Sequence, residues 1–168
     1  HSCMAYLGSL AGFRTVNEVI SDPAFAALIR QLMAEEMAPT LTDLDEFDLD
    51  AYQRSLLDRF ANPNLPHLTA QIAMDGSQKI PERLLPPMAE RLAAGQPMEA
   101  ANCGLAGWIY YTMGVGDQGA SHPVADPMRE LFARCYRSSG GDVEHYLDAL
   151  LSVAEIFPPA LRRSPELR

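Results

Sequence analysis

Residues 98–113 are apolar on almost every side of a helix: Ala100, Ala101, Leu105, Ala106, Trp108, Ile109 and Tyr110 leave it no polar face. A helix of that kind has to be enclosed by other elements. Gly104 and Gly107 lie within it and predict that its neighbours approach closely. The remaining sequence supplies helices to do the enclosing. Met4, Leu7, Leu10 and Ala11 recur at helical spacing ahead of Gly12. Thr15 with Glu18 makes a capping-box pattern, and Asp22-Pro23 opens a longer helix running through Phe25, Leu28, Ile29, Leu32, Met33 and Met37. Residues 49–61 form an amphipathic helix with Tyr52, Leu56, Leu57 and Phe60 inward.

Further along, residues 68–74 read as helix and Asp75-Gly76-Ser77 as its interruption. Pro81 is placed at the first position of the next helix. Pro86-Pro87 forces a restart before residues 88–94, and Gly95 ends that helix. Residues 114–127 are a Gly/Asp/Pro-rich loop. Helices follow at 128–136 and 143–156, the second capped by Asp142. No alternating Val/Ile/Thr run is bounded by hairpin turns. The fold class is therefore all-α, a single helical domain of 168 residues with one core.

Composition removes several function classes. A formal net charge of −9 without a basic stripe argues against nucleic acid as a partner. No apolar run is long enough for a membrane span and no secretory signal is visible, so the expected location is cytoplasmic. Cys3, Cys103 and Cys135 show no ligand spacing, which predicts buried reduced thiols and no metal site. Glu35-Glu36 and the acidic stretch 43–50 read as solvated faces, and His67, His122 and His145 as loop or surface histidines.

Lys79 is the only lysine beside twelve arginines, in the turn Asp75-Gly76-Ser77-Gln78-Lys79. An ammonium offers three donors on a flexible stem, which suits an oxygen-rich or anionic ligand; a solvated surface lysine is the reading composition alone favours. Gly76 is expected to supply an unusual backbone angle, with Asp75 and Ser77 capping nearby N–H groups. The chain opens at His1 directly into an apolar run and closes with Ser164-Pro165-Glu166, a helix-start pattern, so it reads as a piece of something longer.

Several blocks in order carry a family resemblance: His1-Ser2, Ala5-Tyr6-Leu7-Gly8, Leu10-Ala11-Gly12, Thr15-Val16, Asp22-Pro23, Arg59-Phe60-Ala61-Asn62, Ala70-Gln71-Ile72-Ala73-Met74, Asp75-Gly76-Ser77-Gln78-Lys79, Gly107-Trp108, Asp126-Pro127 and Glu155-Ile156-Phe157. Over almost its whole length the chain resembles the C-terminal domain of the long-chain mannitol dehydrogenases and fructuronate reductases (mannonate oxidoreductases). The helical substrate domains of 6-phosphogluconate dehydrogenase-like enzymes are similar. The resemblance implies that residues 1–168 are a C-terminal substrate-binding domain, preceded in the intact enzyme by a Rossmann-type domain that holds NAD or NADP. It implies an oxidoreductase acting on a polyol or sugar acid, and that this chain alone is inactive.

In that family a lysine acts as general acid/base, an asparagine polarises the substrate oxygen, and a histidine contacts the reacting region. Only the histidine falls here, as His1, which the resemblance makes catalytic. Lys79 matches a substrate-contacting lysine. Some members carry a substrate-reaching arginine where this chain has Gln71, a neutral amide that cannot neutralise a carboxylate. The implied partners are the small-molecule substrate and the chain's own nucleotide-binding domain. A non-catalytic all-α binding module built on the same fold is the alternative.

Overall fold

A computed structural model describes residues 1–42, 44, 46–116 and 121–167, the Glu166 side chain excepted. Asp43 and Asp45 of the acidic stretch, and 117–120 of the long loop, lie outside the described residues. The helices are α1 (Ser2–Leu10), α2 (Val16–Ser21), α3 (Pro23–Gln31), α4 (Leu49–Phe60), α5 (Thr69–Ile72), α6 (Gly76–Arg83), α7 (Leu85–Ala93), α8 (Glu99–Thr112), α9 (Arg129–Ser138), α10 (Val143–Leu151) and α11 (Pro159–Arg162). Among the described residues there is no strand, only the isolated bridges Thr15–Leu68 and Val115–Ser121. The architecture is all-α.

The core forms around α8, against which α1 packs most extensively. Trp108 and Tyr6 are fully buried. Both helix glycines are there for contact: a methyl group at Gly104 would meet the Cys3 sulfur, and one at Gly107 would meet Leu7. Trp108 meets Phe132 of α9 edge-on, with ring centroids 6.0 Å apart, and Phe157 lies 6.2 Å away on its other side. Among the described residues no helix is long and apolar enough to cross a membrane.

Local side-chain caps set four of the helix starts. Thr15 and Glu18 make the reciprocal box, with Thr15 N–H donating to Glu18 Oε2 at 2.9 Å and Glu18 N–H to Thr15 Oγ1 at 3.3 Å. Asp22, Asp48 and Asp142 cap α3, α4 and α10. Pro86 and Pro87 sit in the first turn of α7, where their missing N–H groups cost nothing, and Gly95 follows its end at φ 62°.

Five expectations are corrected. The helix from Pro23 widens into a π-helical segment, Leu32–Met37, instead of staying regular. That widening turns Glu36 inward, so it is 2% exposed and not solvated. Tyr52 points outward and pairs with Phe47, centroids 5.6 Å apart, because Phe60 rather than Tyr52 meets the core from α4. Pro81 lies inside α6, which begins at Gly76, and the helix ends two residues after it. Of the three free thiols only Cys3 is buried; Cys103 is exposed and Cys135 half-buried.

Candidate functional site

The turn between α5 and α6 is held from four directions. Asp75 takes the left-handed conformation, φ 58° and ψ 35°, and its N–H donates to Ala125 O at 3.0 Å. Asp126 Oδ2 accepts the Ser77 N–H at 2.8 Å, capping α6 from across the structure, while its Oδ1 accepts the Met128 N–H at 2.8 Å. Tyr6 Oη donates to Ala73 O at 3.2 Å. Gly76 is pressed against Trp108 Nε1 and Tyr6 Oη, so closely that a Cβ there would overlap both.

The unusual angle expected of Gly76 therefore belongs to Asp75, and Gly76 is required for contact instead. Asp126 supplies the cap expected of Asp75 and Ser77. Ser77 is 6% exposed, and among the described residues its hydroxyl has no hydrogen-bond partner.

Lys79 is half-buried and anchored. Its Nζ donates to Ile72 O at 3.1 Å and Met74 O at 2.7 Å, carbonyls at the end of α5 where the helix dipole is negative. Two of the three ammonium donors are thus committed and one is left. Lys79 lines a cleft of about 440 Å³ with Asp75, Ser77, Glu82, Arg83 and Glu155.

His1 sits at the start of α1 with its ring edge-on to Phe60, centroids 4.4 Å apart at 72°. His1 is exposed. Among the described residues no hydrogen bond joins His1 to Lys79 directly.

Gln71 lies elsewhere, on a larger groove of about 860 Å³ whose lining includes Ser9, Met74, Tyr111, Ser121 and His122. There His122 stacks on Tyr111 with centroids 4.6 Å apart, and its Nε2 is 2.9 Å from Tyr111 O. His122 is thus ordered by the core, which a histidine in a Gly/Pro-rich stretch does not signal in sequence. Sequence reasoning also passes over Asp126, whose partner Ser77 is brought to it only by the fold, and Arg83, which lines the Lys79 cleft. Among the described residues no three His, Cys, Asp or Glu side chains gather as a metal site requires.

Known proteins resemble this chain in sequence and in fold. The chain is 41% identical to the D-mannonate oxidoreductase of Escherichia coli over 99% of its own length and 34% of that protein. It is 36% identical to a mannitol 2-dehydrogenase of Aspergillus fumigatus over 96% of its length and 32% of that protein. The mannitol 2-dehydrogenase of Pseudomonas fluorescens, solved as a ternary complex with NAD and D-mannitol, superimposes with a TM-score of 0.89 at 34% identity, covering 99% of this chain and 33% of that one. A D-sorbitol dehydrogenase, 18% identical with a TM-score of 0.80, shares the fold. The chain spans about a third of the length of the curated relatives it matches. Residues 1–168 match the mannitol dehydrogenase C-terminal domain as a whole, and the chain belongs to that family.

Proposed function

We propose that this chain is the substrate-side domain of an NAD(P)-dependent oxidoreductase acting on a polyol or sugar acid, and that the residues completing the enzyme lie outside it. The observation that carries this reading is the anchored ammonium of Lys79 on a cleft lined by carboxylates. Two carbonyls fix its position and leave one N–H to donate, while Asp75, Glu82 and Glu155 supply acceptors for hydroxyl groups. A polyhydroxylated ligand needs both kinds of partner. Family membership and the names of the relatives point the same way.

NAD or NADP is assigned to the preceding domain, and no step here is routed through it. In this reading His1 contacts the reacting hydroxyl or carbonyl and tunes proton transfer with a lysine contributed from upstream. Lys79 orients the hydroxyl chain of the substrate. The pocket then forms between the two domains, where substrate sites commonly lie. No membrane or nucleic acid takes part, and the enzyme works in the cytoplasm.

The test is an initial-rate assay on the longer protein carrying this domain, following cofactor reduction with D-mannitol and with D-mannonate. Turnover with either supports the reading. A folded protein that binds NAD(P) yet turns over neither contradicts it and favours the binding-module alternative.

A further inference from the structure

Lys79 shares its cleft with a second cation. Arg83 follows it by one helical turn, so both side chains leave the same face of α6. Arg83 is exposed, and among the described residues neither it nor Lys79 makes an ion pair. The two cations differ in what they have left to give. Lys79 has a single donor remaining after Ile72 O and Met74 O, too few to embrace a carboxylate. The Arg83 guanidinium is a planar fork that takes both oxygens of a carboxylate at once. Gln71 is neutral and lines the other groove.

The carboxylates of Asp75, Glu82 and Glu155 narrow the ligand further. They accept hydrogen bonds from hydroxyls and repel surplus negative charge, so a doubly charged phosphate ester is disfavoured against a single carboxylate. With Asp75, Glu82 and Glu155 facing only Lys79 and Arg83, an anion is held in this cleft only where it engages a cation directly, and Arg83 is the cation with a fork of donors free.

We propose that Arg83 is the specificity-determining residue of this site, pairing with a carboxylate on the substrate, so that the protein prefers a sugar acid to the corresponding neutral polyol. This rests on the oxidoreductase reading above. D-mannonate and D-mannitol make the matched probe pair, differing in whether one end is a carboxylate or a CH2OH group.

The experiment compares kcat/KM for both compounds in the longer protein and in its Arg83→Met and Arg83→Lys variants. The wild type is expected to favour mannonate. Arg83→Met should reduce the mannonate-to-mannitol preference by about tenfold to hundredfold, the worth of a charge-assisted hydrogen bond, mainly through KM. Arg83→Lys should recover part of it, because an ammonium restores charge without the fork. An equal loss on both substrates, or an unchanged preference, overturns the proposal, since a merely structural arginine gives those results. Activity of the wild type on neither compound instead overturns the oxidoreductase reading, and this inference with it.

Discussion

Gly76 shows how one atom can hold a site in place. Its lack of a Cβ lets α6 approach Trp108 and Tyr6, both fully buried, and α6, which carries Lys79, begins at this residue. Gly76→Ala forces those rings or the helix to shift. Overpacking of this sort costs about 1–3 kcal/mol, and denaturant unfolding should register that loss; a variant as stable as the parent would mean that the contact relaxes freely. The importance of Gly76 was visible in sequence, but for a different reason than the one that holds. A glycine beside a turn suggests backbone freedom, whereas here the neighbour Asp75 carries the positive φ. Only the distant partners, Tyr6 and Trp108, reveal why position 76 must be bare.

At the scale of elements, the start of α8 depends on a residue from elsewhere in the chain. Glu36, turned inward by the π-helical segment, accepts the Ala100 N–H at 2.8 Å through Oε1 and the Ala101 N–H at 2.7 Å through Oε2. Arg91 braces the same corner, donating from Nε to Pro97 O at 2.8 Å and from Nη1 to the Glu36 carbonyl at 3.3 Å. Glu36→Ala leaves two buried N–H groups without partners, and the expected loss in unfolding free energy is about 3 kcal/mol. Glu36→Gln keeps one acceptor and should lose less; equal losses from the two variants would contradict a capping role. The contrast with the other helix starts explains what the sequence could show. Thr15, Asp22, Asp48 and Asp142 cap N–H groups within three residues of themselves, so their roles are written locally. Glu36 and Asp126 cap helices 64 and 49 residues away, and before folding each resembles any solvated carboxylate. Pro81 misled for a similar reason: a proline at a helix start and one near a helix end look alike until the preceding turn is placed.

For the molecule as a whole, the core buries tyrosines whose ionisation is opposed by that burial. Burial pushes the Tyr146 hydroxyl up to about 12, against an opposing hydrogen bond with Thr112 Oγ1 at 2.8 Å. Burial raises Tyr6 and Tyr111 as well. An unfolded tyrosine loses its proton near 10, so above that pH the unfolded chain binds fewer protons than the native one, and stability falls as pH rises. Stability from these groups is therefore fully present below about pH 10 and declines through the window up to about 12. Unfolding free energy measured across that range, with tyrosinate absorbance followed in parallel, should show ionisation of these rings coinciding with unfolding. Ionisation of these rings near pH 10 in a still-folded protein would show that they are wetter than the packing indicates. The all-α class, the central α8 and the family were all legible from periodicity and ordered motifs. The placement of Lys79 and Arg83 on one groove and Gln71 on another was not, because it depends on how the helices pack. The central claim is that the α6 face meets the substrate, and steady-state kinetics of Lys79→Met in the longer protein tests it most directly. The account predicts that kcat/KM for the sugar substrate falls about tenfold to hundredfold, as loss of a charge-assisted hydrogen bond entails, while affinity for NAD(P)H is retained. An unchanged kcat/KM, in a variant that keeps its fold, would contradict it.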